Sequence, residues 1–565
     1  MRRLLPLFVG LGLVLAACQA SPGTSSSPGA SASGSEAPFT AMSYPAAGPQ
    51  ACNTADYTGA MSEIKALDQY TVQFTLCNPD PAFLSKIAFS AMGIQDTATL
   101  EANMADHVIL SDPNGTGPYE LTEWVRGDHI TLTKNPDYWG TAAIADQLVF
   151  RWSTESSARL LALQASSGGV DGIDNPGPDD FATIAGDTSL QLIKRPALNT
   201  MYIGFTNTYA PWSDQRVRQA IALALDRQRI VDNFYPEGST VATHFTPCEI
   251  PMGCEGDDWY AQNVTDAKQL MTDAGFPNGF ATKLSYRNVV RGYLPDPVIV
   301  ATDIQSQLKT ALNIDITLDE EESGTFLDNS SAGLLDGLYL LGWGADYPDP
   351  TNFLDYHFNN PANQQFGPMP TSITDPLTTG ATTLDTEART AAYQEANNAI
   401  KEFVPMIPVA HGASATAWKA DVTGAHASPL TSERFSVMDP GGRPALIWMQ
   451  NAEPISLYCG DETDGETLRI CEQITDSLYN YQVGKTDVEP ALATECTGND
   501  DASVWTCTLR EGVKFHNGAG FDANDVVESY ALQWDPNNPL HVGRTGSFEY
   551  WGSFFGAMLP VAPAS

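Results

Sequence analysis

Nine cysteines and eight histidines are the side chains in this sequence with the means for metal or covalent chemistry. Eight of the cysteines lie in the body of the chain: Cys52, Cys77, Cys248, Cys254, Cys459, Cys471, Cys496 and Cys507. No two of them stand in a CxxC spacing, so a thiolate zinc site is not expected. An even number in an exported chain points to disulfides, although sequence alone does not choose the connectivity. Local pairing is the expectation. Cys248 and Cys254 bracket the turn-like EIPMG, and Cys496 and Cys507 flank a hairpin-like TGNDDASVWT that would set them face to face. Cys52 with Cys77 and Cys459 with Cys471 complete the local set. The histidines show no HExxH or other close metal spacing. The GKT at Gly484–Thr486 has Tyr479 where a phosphate-cradling loop needs glycine, and GTGPYE from Gly115 is not GxGxxG. Ser414, in HGASA, lacks the GxSxG elbow of a hydrolase nucleophile. Carboxylates, 68 in all, are too many to single out a glycosidase pair. These residues imply no enzyme, no cofactor and no metal.

The elements around them belong to an exported α/β protein. Its 565 residues give room for roughly two to four domains. The formal net charge of −39 argues against nucleic acid as a partner. With 42% hydrophobic residues the acidity reads as a solvated surface rather than disorder. The N-terminus has two arginines, an apolar run from Leu4 to Leu15 and small residues leading to Cys18, the layout of an export signal. Its LAAC ending resembles the bacterial lipobox, which implies cleavage before Cys18 and lipidation of that thiol. Residues 19–37 are almost wholly Ser, Gly, Ala and Pro and form a flexible tether. Further on, helical and strand periods alternate. Ser213–Val231 predicts an amphipathic helix with a Ser N-cap, Asp303–Leu318 a helix followed by a strand, and the Arg-Gly-Asp before HITLTK a hairpin turn.

Five stretches together resemble the peptide-binding family of ABC-importer solute-binding proteins, which includes dipeptide, oligopeptide and nickel binders. They are GTGPYELTEWVRGDHITLTKNPDYWG from Gly115, MYIGFTNTYAPWSDQRVRQAIALALDRQRIV from Met201, DAKQLMTDAGFPNGF from Asp266, YLLGWGADYPDPTNF from Tyr339 and LREGVKFHNGAGFDANDV from Leu509. Their order departs from the family's. The EPISL stretch at Glu453 and the LREGVKF stretch, which normally open such proteins, come last, so the chain looks circularly permuted. The resemblance implies an α/β, two-lobed periplasmic-binding-protein-like fold of class II with an accessory domain and a bending hinge. Residues 1–17 would be signal, 18–49 lipidated cysteine and tether, 50–110 and 486–565 the accessory domain, 111–204 and 405–485 the first lobe, and 205–404 the second. The hinge would lie near Phe205–Asn207 and Pro405–His411. Permutation further requires Trp505–Leu509 to share a sheet with Val72–Leu76, and Tyr57 to approach Phe555.

In peptide-binding members an Asp in a tryptophan-containing stretch meets the peptide's ammonium, and GWGADYPDP puts Trp343 and Asp346 on that pattern, with Tyr347 beside them for stacking. The arginine that some members carry just before the Trp is missing from DGLYLLGW, so Arg287 and Arg291 are the candidates for a ligand carboxylate. Tyr458, Asp461 and Glu462 follow the family's opening strand and would favour amine-bearing ligands. The function implied is a lipid-anchored, extracytoplasmic monomer at the cell membrane that captures short peptides for an ABC permease. The alternatives are a receptor for another solute, such as an oligosaccharide, metal chelate or opine-like compound, and an exported hydrolase.

Overall fold

The computed structural model describes residues 39–103, 108–360 and 363–561, so Cys18 and most of the tether lie outside the described residues. From Ala41 onward the chain forms one compact unit. It is mixed α/β, as expected, and is organised around three main sheets. Among the described residues no helix is long and apolar enough to cross a membrane.

The first sheet is antiparallel, in the order Ser43–Tyr44, Met61–Asp68, Thr71–Leu76, Val504–Leu509, Ala493–Gly498. Its centre joins strands more than 400 positions apart: Trp505 pairs with Phe74 and Cys507 with Val72. The alternation of buried residues along Thr71–Leu76 puts Val72, Phe74 and Leu76 in the core and fixes that register, since a one-residue slip would turn them outward. Nearby, the Phe555 carbonyl accepts from the Ala60 amide at 2.6 Å and the Tyr57 hydroxyl from Trp534 Nε1 at 3.0 Å. Ser43–Tyr44 already belongs to this sheet, inside the span 18–49 assigned above to the tether.

A seven-stranded sheet carries the first lobe, in the order Tyr119–Val125, His129–Lys134, Gln147–Trp152, Ala445–Gln450, Gly172–Asp174, Ser414–Lys419, Leu190–Arg195. The expected hairpin is its edge, with Gly127 at φ +76° making the turn that a side chain would strain. Ala445–Gln450 lies at the centre, parallel to both Gln147–Trp152 and Gly172–Asp174. The GTGPY stretch seats this lobe against helix Gly465–Ile474. A Cβ on Gly115 or Gly117 would collide with the Ile474 main chain, and Gly117 N donates to the Ile474 carbonyl at 2.8 Å.

The third sheet, of six strands, carries the second lobe: Thr240–Val241, Met406–His411, Asn199–Gly204, Leu338–Gly344, Ala281–Tyr286, Asp315–Glu320. Two boundaries therefore move. Asn199–Gly204 and Met406–His411 pair with each other here rather than in the first lobe, so the two crossings fall between Arg195 and Asn199 and between His411 and Ser414. The helix expected over Ser213–Val231 is two helices, Gln215–Ala224 and Arg227–Phe234, because the Asp226 carboxylate accepts from Arg229 N and starts a second one. The first is capped by Asp214, not Ser213. Pro297–Leu312 followed by Asp315–Glu320 is the expected helix and strand.

Four disulfides, Cys52–Cys77, Cys248–Cys254, Cys459–Cys471 and Cys496–Cys507, are all local, and the last joins directly paired strand residues. His244 stands within 4.8 Å of Cys248 and Cys254, but those two sulfurs bind each other.

Candidate functional site

Open α/β sheets place ligands outside the carboxyl ends of their parallel strands. In the second lobe Ala281–Tyr286 and Leu338–Gly344 are parallel neighbours. The loops that leave their carboxyl ends carry Arg287 and Arg291 after one strand and Asp346 and Tyr347 after the other, although among the described residues no hydrogen bond or ion pair joins either arginine to Asp346. In the first lobe, Ala445–Gln450 leads by the same logic to Tyr458, Asp461 and Glu462.

Asp346 is 8% exposed and is gripped from two sides. Asn352, near the start of helix Pro350–Phe358, donates to Asp346 Oδ2 at 2.8 Å, and its own Oδ1 accepts from the Asp346 amide at 3.0 Å. From the far end of the sequence, Tyr550 on helix Glu549–Phe555 donates to Oδ1 at 3.1 Å. Among the described residues no lysine, arginine or histidine forms an ion pair with this carboxylate. Burial pushes its pKa from 3.8 up to about 7, with the hydrogen bonds of Asn352 and Tyr550 acting against that rise. Trp343 is half-buried and stacked on Tyr356 at 4.4 Å, with its Nε1 3.3 Å from Asn352 Oδ1. Tyr347 is fully packed: Phe554 meets its ring edge-on at 5.0 Å, and its hydroxyl lies 3.1 Å from Thr351 Oγ1.

Arg291 reaches across the lobes, with Nη1 3.9 Å from Glu466 Oε1 on helix Gly465–Ile474. Beside Glu466, burial and the neighbouring acid raise Asp464 to about 7. Burial would raise Glu466 too, but the Arg291 guanidinium holds it below the ordinary range. The loop bearing Arg291 packs on the crossing, since a Cβ on Gly412 would meet the Gly292 carbonyl at 2.2 Å. Arg287 is engaged by Tyr293 and Ser323, each at 3.1 Å.

The three first-lobe candidates are occupied from within the chain. Asp461 accepts from Thr545 N and Oγ1, Gly546 N and Phe548 N at 2.6–2.9 Å. Glu462 forms a two-pronged pair with Arg544 at 2.7 and 2.8 Å, and Tyr458 packs edge-on against Phe548. They hold the 544–548 loop, which leads directly into Tyr550. Asn352, Tyr550 and Tyr481, whose hydroxyl lies 3.5 Å from the Asp346 carbonyl, complete the site and were not anticipated. Asn352 sits six positions after Asp346 and could have been read as its partner. Nothing local marks the two tyrosines.

Comparison with known proteins agrees with this architecture. The sequence model of the bacterial extracellular solute-binding proteins, family 5, matches residues 26–365 and 487–548. A dipeptide-binding protein of Pseudomonas aeruginosa is 27% identical over 391 residues, covering 66% of this chain and 71% of the relative. A heme-binding protein A of Haemophilus influenzae is also 27% identical, over 389 residues, covering 68% and 70%. Among solved structures, a dipeptide-binding protein from Pseudoalteromonas sp. SM9913 in complex with Met-Leu superposes with a TM-score of 0.62 at 25% identity, covering 67% of this chain and 75% of that one. A periplasmic binding protein of A. tumefaciens in complex with agropinic acid gives 0.56 at 26% identity, covering 66% and 75%. The matches span well over half of the sequence and run through both lobes, and the chain belongs to the bacterial extracellular solute-binding proteins of family 5.

Proposed function

We propose that this protein is a non-enzymatic receptor that captures short peptides outside the cytoplasm and delivers them, as a lipid-anchored monomer, to the permease of an ABC importer. The observation that carries the reading is Asp346, a buried carboxylate at the carboxyl edge of the second-lobe sheet whose side-chain partners are all neutral. Such a group is expensive to keep ionised alone and binds an entering ammonium strongly. Arg291, partly exposed and only loosely held by Glu466, is the group we assign to the ligand's carboxylate. Trp343 and Tyr347 form the wall beside the ammonium. Asp461, Glu462 and Tyr458 support the loop that presents Tyr550, and Arg287 supports the Arg291 loop through Tyr293. Several relatives are named for dipeptides, which favours that ligand class. Native mass spectrometry of the purified protein tests the reading: a co-purified peptide is expected, and a heme or an opine-like acid in its place would overturn it.

Anchoring through Cys18 belongs to the same proposal. Cys18→Ser should release the protein or leave it unprocessed, and an unchanged mature membrane-bound form would contradict it.

We also propose that the chain is a circular permutant of its family's usual order. The proposal is supported by the sheet that joins Thr71–Leu76 to Val504–Leu509 and by the central position of Ala445–Gln450. A chain rebuilt with residues 443–561 ahead of residue 39 should keep all three main sheets, and loss of the fold would count against permutation.

A further inference from the structure

We propose that ligand capture at Asp346 is coupled to release of a proton: the carboxyl is stored neutral beneath Tyr550 until a cationic group enters, and gives its proton to solvent as the ammonium docks. The inference rests on the peptide reading of the site and adds how the site is regulated.

The geometry around the carboxyl leaves it no charged partner. Its own loop contributes Tyr347. Helix Pro350–Phe358 contributes the amide of Asn352 and, within electrostatic reach, the phenol of Tyr356. Helix Glu549–Phe555 contributes the Tyr550 hydroxyl and brings Glu549 nearby, while strand Tyr479–Tyr481 contributes Tyr481, behind which lies Glu472. On a packed element, Lys86 lies over the Tyr347 ring at 5.8 Å and is already bound to Asp80 at 2.7 Å. Arg389, which reaches the cap of helix Pro350–Phe358, is likewise bound to Asp349 at 2.8 Å, and among the described residues neither it nor Lys86 forms an ion pair with Asp346. An ionised carboxylate in that setting would face desolvation with no cation to offset it, and such groups take up a proton instead. The upward displacement of Asp346 agrees with this.

Docking then balances simply. The carboxyl O–H bond breaks, the proton passes to water, and the carboxylate pairs with the ligand's –NH3+. No electrons are exchanged. Tyr550 is the residue that makes the stored form possible, because its hydroxyl donates to Oδ1 and brings no charge of its own. Below about pH 7 the proton competes with the ligand, so affinity should fall toward tenfold per pH unit, and above it affinity should level off.

Infrared difference spectroscopy of the ligand-free full chain near pH 6 tests the stored state. The wild type should show the C=O stretch of a protonated carboxyl that Asp346→Asn lacks, and Tyr550→Phe should keep that band but move it to higher frequency. Calorimetry with Met-Leu as probe, at the same pH in buffers of different ionisation enthalpy, tests the coupling, with about one proton released per peptide bound. An absent band, or heat that does not depend on the buffer, overturns this proposal alone. No heat from Met-Leu or from a mixed dipeptide set removes the peptide reading, and the proton coupling with it.

Discussion

Replacing Arg469 by methionine removes one corner of a four-charge ring buried in the first lobe. Arg469 Nη2 lies 2.8 Å from Asp174 Oδ2 and its Nε 3.1 Å from Glu433 Oε2. Arg195 closes the ring at 3.1 Å to Asp174 Oδ1 and 2.6 Å to Glu433 Oε1. None of the four side chains is more than 4% exposed. Burial alone would raise both carboxyls, but the two guanidiniums outweigh it and hold them below the ordinary range. Methionine keeps most of the stem volume and leaves one negative charge without its partner, at a cost of about 3–5 kcal/mol. At a urea dependence of about 3 kcal/mol per molar, the unfolding midpoint should fall by about 1–1.7 M. Tryptophan fluorescence is a local reporter, because Trp448 lies 5.8 Å from the Arg469 guanidinium and packs against Trp418 at 4.6 Å. The sign with pH follows from the depressed carboxyls. Their contribution is present above the unfolded value of about 4 and is lost as pH falls through the folded one, so the variant's deficit should shrink in acid. Adding Glu433→Gln, which restores neutrality, should recover part of the loss. A deficit under about 0.5 kcal/mol at pH 7, the size of an ordinary surface change, would refute the reasoning.

Other consequences are as direct. Asp461→Ala should free the 544–548 loop by leaving the amides of Thr545, Gly546 and Phe548 without this acceptor, at about 1–3 kcal/mol for such a loss, and limited proteolysis should cut there faster; unchanged cleavage would contradict this. Removing the Cys496–Cys507 bridge by paired serines should cost about 3 kcal/mol in thermal unfolding, and a loss under about 1 kcal/mol would mean that the hairpin does not depend on it. Arg291→Ala should weaken a dipeptide about tenfold or more while leaving its C-terminal amide unaffected, whereas equal weakening of both would take Arg291 out of carboxylate recognition.

How much of this was legible depends on the range of the interaction. The hairpin at 119–134, the helix and strand at 297–320 and the Cys496–Cys507 pairing follow from period, turn residues and local spacing, all expressed within about 25 positions. The pairing of Thr71–Leu76 with Val504–Leu509 has no local signal and was accessible only because two family-like stretches stood in an unusual order. Apolar strands such as Asn199–Gly204 and Met406–His411 are buried on both faces, so their sequence says strand without saying which sheet, and the lobe crossings were misplaced by several residues. The break at Asp226 turned on one side-chain cap that overrode a continuous helical period. An acid in a loop gives no sign of whether solvent, ligand or backbone will satisfy it, which is why Asp461 and Glu462 read as ligand groups and stand in the structure as loop clamps. Tyr550, 204 positions from Asp346, could not be seen as its partner before the fold was known.

The central claim is that a family 5 receptor holds the free amino terminus of a short peptide on Asp346. Calorimetric titration of the purified protein with Met-Leu and with N-acetyl-Met-Leu, at pH 8 where Asp346 is free to ionise, measures it most directly. The account predicts that Met-Leu binds, that acetylation weakens it by about 3 kcal/mol or more, and that Asp346→Asn abolishes the difference between the two. Equal binding of both peptides by the wild type, or discrimination that survives in Asp346→Asn, would contradict it.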